Sequence, residues 1–201
     1  MTKAVMNHRT PKQKSGDKSP HSKMPDRSWK YLSSREIADF RVLRIRSDRY
    51  LFQPTQKEAD FVVCDSADWA MVIAITTDEQ VVLVRQYRHG VREVVLEIPG
   101  GLLEVGEAPE HAARRELREE TGYECQSIRM LSRLLPNPST NNATLHIAVA
   151  EGCRPIAQQN LDPLERIEII LRPLSEIPAM IASGEICHAQ VIAAFALAGY
   201  A

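Results

Sequence analysis

The sequence of 201 residues predicts an α/β fold: a mixed β-sheet with helices on both sides. Three observations point that way. The runs WAMVIAIT at 69–76 and QVVLVRQ at 80–86 are too continuously apolar for half-exposed strands and read as central strands covered on both faces. Shorter strand-like runs flank them, separated by turn residues. The segment Pro109–Thr121 reads as a helix, because Pro109 suits a first helical position and Gly122 suits a left-handed stop.

In chain order, residues 1–27 carry seven basic residues against two acidic ones and almost nothing apolar beyond Val5 and three methionines. Such a segment cannot offset its own ordering entropy, so a disordered basic tail is expected there, ahead of one domain over 28–201. Strands are expected at 41–46, at 49–53 after a break at Ser47 and Asp48, and at 60–64. After the two central strands comes EVVLEIP at 93–99, ended by Pro99 and Gly100 just before the helical segment. Strands at 125–135 and 144–150 flank the loop PNPSTNN, whose prolines and asparagines shape the backbone and offer hydrogen-bonding groups. A polar linker over 151–164 and a strand at 166–172 follow. Ser175 is placed to cap a short helix stopped by Gly184, and HAQVIAAFALAGY closes the chain as an apolar helix.

A formal net charge of -1 gives no general attraction to nucleic acid or an anionic membrane. No apolar run approaches the roughly 18 residues that span a bilayer, and the N-terminus lacks the apolar core of a secretory signal. Cys64, Cys125, Cys153 and Cys187 show no paired metal-ligand spacing. They read as reduced thiols of a cytoplasmic protein.

The chemistry concentrates on the helical segment. Glu116, Glu119 and Glu120 are three and four residues apart, so their carboxylates share one side of a helix, where like charges repel. Arg114, Arg115 and Arg118 could neutralise them as a surface lattice. A hard divalent cation such as Mg²⁺ could do so instead, taking a few carboxylate oxygens and completing its shell with water and phosphate.

The spacing goes further. Gly101, five residues, Glu107, seven residues, Arg115, Glu116, Leu117, one residue, Glu119, Glu120, one residue, Gly122 and Tyr123 together resemble the signature box of the Nudix hydrolases, with every fixed position filled. That resemblance implies an α/β/α sandwich and hydrolysis of a diphosphate linkage. It implies Glu116, Glu119 and Glu120 as ligands to Mg²⁺, with Mn²⁺ as a substitute, and the carbonyl of Gly100 as a further ligand. It also implies Glu107 at the edge of the metal cluster and Arg115 as the residue that orients the glutamates.

The flanks narrow the branch. QYR at 86–88, EIPGG at 97–101 and prolines beginning at Pro136 resemble the ADP-ribose pyrophosphatase and nucleoside-diphosphate-sugar branch. Strands before Trp69, over 28–66, are similar to those that build a homodimer there. The loop PNPSTNN departs from that branch, many of whose members carry a Pro-Gly pair. Arg88 is the candidate diphosphate-binding arginine, since a guanidinium fork matches phosphate oxygens. Glu97 is a candidate for the nucleoside, or else pairs with an arginine, and Pro136 and Asn137 are candidates for the remaining substrate contacts. The resemblance implies a general base on a loop after the last linker, and Glu165 in LDPLERIE matches best, with Asp162 and Glu168 close by. His146 is expected to be packed. The expected reaction is hydrolysis of ADP-ribose to AMP and ribose 5-phosphate. GDP-mannose or another nucleoside-diphosphate sugar is the alternative; a nucleoside triphosphate pyrophosphatase and a non-catalytic nucleotide sensor fit less well.

Overall fold

The computed structural model describes residues 27–40 and 42–201. The expected basic tail, apart from Arg27, lies outside them, as does Arg41. The chain divides into two compact units: the residues up to Ser66 with Ser139–Asn142, and Ala67–Pro138 with Ala143–Ala201.

The first unit is a three-stranded antiparallel sheet of β1 (Trp29–Asp39), β2 (Leu43–Phe52) and β3 (Lys57–Ser66), with β2 in the middle. β1 lies in the strand region expected over 28–66 but was not delimited there, because WKYLSSREIAD mixes apolar and polar residues without strict alternation and is almost wholly exposed. The expected break at Ser47 and Asp48 is also absent, and β2 runs straight through. Asp48 is buried at 4 % exposure. It accepts hydrogen bonds from Ser34 Oγ at 2.6 Å and Arg46 Nε at 3.1 Å, so a residue that favours turns is satisfied across the sheet instead. Trp29, Tyr31, Tyr50, Phe52 and Phe61 form one aromatic cluster, with ring centroids 4.7–6.4 Å apart. Thr140 and Asn142 join this unit: the Cys64 N–H donates to Thr140 O at 2.6 Å, and the Asn142 amide donates to Asp65.

The second unit holds the mixed sheet, running β11 (Ile167–Pro173), β5 (Gln80–Arg88), β4 (Trp69–Thr76), β10 (Leu145–Pro155), β8 (Tyr123–Glu124). β6 (Glu93–Glu97) pairs with β5, β7 (Gly100–Leu102) with β4, and β9 (Ser127–Leu134) with β10. Only β4 and β10 are parallel; the remaining pairs are antiparallel. Alternation along β4 builds two cores. Ala70, Val72 and Ala74 pack with Ala112, Ala113 and Leu117 of α1 (Pro109–Thr121). Met71, Ile73 and Ile75 pack with Ile177 and Met180 of α2 (Ile177–Ala182) and Val191, Ala194 and Phe195 of α3 (Ala189–Ala198). Small residues meet α1 and large ones meet α2 and α3, so α1 lies close to the sheet.

Several boundaries differ from expectation, among them that β3 spans Lys57–Ser66 and β5 runs to Arg88. The strand at 93–99 stops at Glu97, and the chain re-enters the sheet as β7, because the Val72 N–H donates to Pro99 O at 2.9 Å and holds the turn against β4. The strand begun at Leu145 continues into the expected linker as far as Pro155. The strand expected from Cys125 starts at Ser127. Ser175 is not the cap: a 3₁₀ turn, Leu174–Glu176, precedes α2, which opens on Ile177 with Pro178 in its first turn and no side-chain cap.

α1 starts and stops as its residues require. Pro109 opens it and Gly122 closes it at φ 72°, with the Gly122 N–H donating to Arg118 O at 2.8 Å. A Cβ on Gly122 would run into the carbonyl of Ala157. Gly199, at φ 79°, has open space around it. Gly199→Ala is therefore expected to lose about 1–2 kcal/mol from backbone strain alone. Gly122→Ala is expected to lose a further ~1–3 kcal/mol from the collision, read from urea unfolding midpoints. Equal losses in the two variants would contradict this account.

Candidate active site

The turn from β6 to α1 contributes two glycines that let the helix approach. A Cβ on Gly101 would overlap the carboxylate of Glu116, and one on Gly100 would overlap the β4 backbone at Ala70. Beside them the Gly100 N–H donates to Glu120 Oε2 at 3.0 Å, fastening the last turn of α1 to the start of β7. Glu120 is 6 % exposed.

Arg115 binds the outer carboxylates. Its Nε and Nη2 donate to Glu107 at 2.9 Å each, and its Nη1 donates to Glu116 at 2.7 Å and Glu119 at 3.1 Å. Nη2 also reaches Leu102 O at 3.0 Å. The salt bridges expected of Arg115 to the glutamates are present. The Arg115 hydrogen bonds hold Glu107 below the usual carboxylate range. Burial pushes Glu116 up, against the opposing pull of Arg115. Burial pushes Glu120 up to about 8, with Glu116 and Glu165 adding to the rise and the Gly100 N–H opposing it. Glu107, Glu116 and Glu119 thus share one guanidinium, and Glu120 has no ion pair to it.

Among the described residues, no three acidic, histidine or cysteine side chains meet at one point, since Arg115 draws Glu116 and Glu119 to itself while Glu120 turns to Gly100. The donor set still fits a hard divalent cation. It offers several hard oxygens, two of them on carboxyl groups whose charge is penalised by burial.

Arg88 and Glu97 come together. Arg88 Nε and Nη2 each donate to a different oxygen of Glu97 at 2.6 Å, a two-pronged pair, and Glu97 is 2 % exposed. Of the two readings of Glu97, pairing with an arginine is the one found. These hydrogen bonds raise Arg88, and the charges of Glu120 and Glu165 add to the rise, so Arg88 lies within electrostatic reach of both. Glu165 closes a turn, its N–H donating to Asp162 O at 2.9 Å and its carboxylate accepting from the Asp162 N–H at 3.2 Å. It is exposed, and its charge reaches Glu116, Glu120 and Arg88. Glu168 instead pairs with Arg85 at 3.2 Å.

Pro136 is half-buried and Asn137 exposed beyond the end of β9, and neither contributes to the contacts that gather the carboxylates. His146 is partly buried, 3.6 Å from Asp68, in keeping with the packed role expected of it. Sequence reasoning did not single out Gln159, whose amide donates to Glu120 O at 2.6 Å and Ile167 O at 3.1 Å, tying the end of α1 to β11. Nothing in the polar stretch around it marks this residue.

Comparison with known proteins gives a family and a fold. Residues 67–195 match the model of the NUDIX domain. The chain is 34 % identical over 148 residues to the methanol dehydrogenase activator of Bacillus methanolicus, covering 73 % of this chain and 80 % of that one. It is 31 % identical over 120 residues to the ADP-ribose pyrophosphatase of Bacillus subtilis (strain 168), covering 59 % of this chain and 65 % of the other. A crystal structure of an ADP compounds hydrolase superposes with a TM-score of 0.76 at 22 % identity, over 88 % of this chain and 95 % of that one.

The raised Glu120 sets a pH dependence. In the presence of EDTA the folded state keeps a proton on Glu120 up to about pH 8, whereas the unfolded chain releases it in the ordinary carboxylate range. The folded state binds more protons between those limits, so this contribution to stability is lost as pH rises through the window. Thermal unfolding in EDTA is expected to show that fall, Glu120→Gln to flatten it, and added Mg²⁺ to oppose it at the alkaline end. An unchanged pH slope in Glu120→Gln would contradict the assignment.

Proposed function

The chain belongs to the NUDIX domain family, and from that we infer that it is a divalent-metal-dependent hydrolase that cleaves ADP-ribose into AMP and ribose 5-phosphate. The observation that carries the reading is the charge imbalance beside α1, where Glu107, Glu116 and Glu119 share Arg115, the buried Glu120 has no ion pair to it, and Arg88 lies within electrostatic reach. A nucleoside-diphosphate sugar supplies both charges such a site calls for: a diphosphate to meet the arginine, and non-bridging oxygens to share a cation.

In this reading Glu116, Glu119, Glu120 and the carbonyl of Gly100 hold Mg²⁺, with Mn²⁺ as a substitute. When bound there, such a cation would supply positive charge to phosphate oxygens and would acidify a water. Arg115 keeps Glu116 and Glu119 from relaxing into solvent. Arg88 takes the diphosphate with the guanidinium edge that Glu97 does not use. Glu165 is the base: it is exposed, it stands on a short turn, and its charge is felt by Glu116, Glu120 and Arg88. Pro136 and Asn137 border the sugar. We further propose a cytoplasmic homodimer built through the aromatic cluster of the first unit, where Trp29 is 41 %, Tyr31 53 % and Phe61 43 % exposed, a contiguous face that a second copy would cover.

Incubation with Mg²⁺ and a panel of ADP-ribose, GDP-mannose, UDP-glucose, NADH and a nucleoside triphosphate is expected to release AMP from ADP-ribose most rapidly; cleavage of the triphosphate alone would overturn the substrate class. Glu120→Gln is expected to lose turnover and the Mg²⁺-induced thermal shift together. Glu165→Gln is expected to keep the shift and lose roughly 10²–10⁴ in kcat, the usual loss for a general base. Light scattering at micromolar concentration is expected to read a dimer, and a monomer would remove that part of the proposal.

A further inference from the structure

We propose that Glu97 is the positioning residue for Arg88: a buried clamp that aims the guanidinium and holds it off the carboxylate cluster. The proposal rests on the reading of Arg88 as the diphosphate-binding arginine.

The sheet decides where Glu97 points. Its neighbours Leu96 and Ile98 enter the core under α2 and α3, so alternation turns Glu97 to the face that α1 covers. Along β5, Leu83 faces that same lower core and Val82 faces α1, which puts Arg88 on the α1 face too. In the β5–β6 ladder Glu97 lies opposite Val84, and the residue opposite Arg88 is Glu93, an exposed carboxylate. The guanidinium passes over that neighbour and reaches along the ladder to Glu97 with two hydrogen bonds of 2.6 Å.

Stability alone does not call for this arrangement. The strand neighbour opposite Glu97 is the apolar Val84, and a well-packed apolar pair commonly matches or exceeds a buried ion pair in stability. What the pair supplies is direction. A guanidinium has five N–H donors; Glu97 takes one on Nε and one on Nη2, which leaves three on the outer edge. Arg115 is forked on Glu107 in the same way, through Nε and Nη2, and its remaining Nη1 goes to Glu116 and Glu119, whereas the fork of Arg88 is turned to the buried Glu97. Arg88 feels Glu120 and Glu165 and would fall onto them if released, occupying oxygens that the cation and the substrate need.

The test is a double-mutant cycle on steady-state kinetics with ADP-ribose, accompanied by Mg²⁺-dependent thermal shifts. Glu97→Gln is expected to raise KM about tenfold with kcat within about threefold, and to raise the Mg²⁺ concentration giving half the thermal shift. A merely structural loss would lower kcat through the active fraction and leave KM alone. Combining Glu97→Gln with Arg88→Ala is expected to be no worse than Arg88→Ala by itself. Guanidinium ion at millimolar concentration is expected to restore activity to Arg88→Ala but not to the double variant, because only the intact Glu97 can hold it. Should Glu97→Gln fail to fold, Glu97→Asp and the guanidinium rescue carry the same comparison. Multiplicative losses in the double variant, or equal rescue of both, would overturn the clamp and leave the reading of Arg88 standing. An unchanged KM in Arg88→Ala would overturn both together.

Discussion

The bond from the Gly100 N–H to the Glu120 carboxylate is the contact on which the site depends. It joins β7 to α1, where Gly101 leaves room for the Glu116 carboxylate, Gly100 leaves room for the backbone of β4, and β4 presents alanines to α1. The same closeness buries Glu120 and Glu116. Packing and reactivity therefore share one cause: removing the gap would move the carboxylates, and moving the carboxylates would unmake the seam.

Burial creates a demand that the protein meets only in part. Arg115 satisfies Glu107 and half-satisfies Glu116 and Glu119. Glu120 accepts a backbone hydrogen bond, which is weaker compensation than a full charge. A folded protein tolerates such a deficit at a site that completes itself with a cation. Both arginines are forked on a carboxylate, Arg115 on Glu107 and Arg88 on Glu97. They differ in that Arg115 also reaches Glu116 and Glu119 with its third nitrogen.

The three-stranded sheet at the start of the chain follows another logic. It has little buried apolar area of its own, is held by ladder hydrogen bonds, ion pairs and stacked aromatics, and recruits Ser139–Asn142 from far along the chain. Its stability comes from pairing more than from a core, which is why its first strand is almost wholly exposed and hard to see in advance.

Much of the second unit was legible from residue order. Trp69–Thr76 was delimited correctly, because an unbroken apolar run bounded by turn residues has one economical place in a domain. The helix Pro109–Thr121 was delimited too, since its stops are local and its carboxylates share a side by helical spacing alone. The chain thus determined by itself the central strands, the acidic helix and the family to which it belongs. Tertiary structure decided what depends on a distant partner: Asp48 spanning a strand because Ser34 and Arg46 satisfy it, the chain re-entering the sheet at β7 because Pro99 meets Val72, and Glu97 becoming the anchor of Arg88. The physical reason is range. Caps and periodicity act within a few residues and are written in sequence neighbours, whereas the charge on a buried carboxylate is settled by whichever group the fold brings to it.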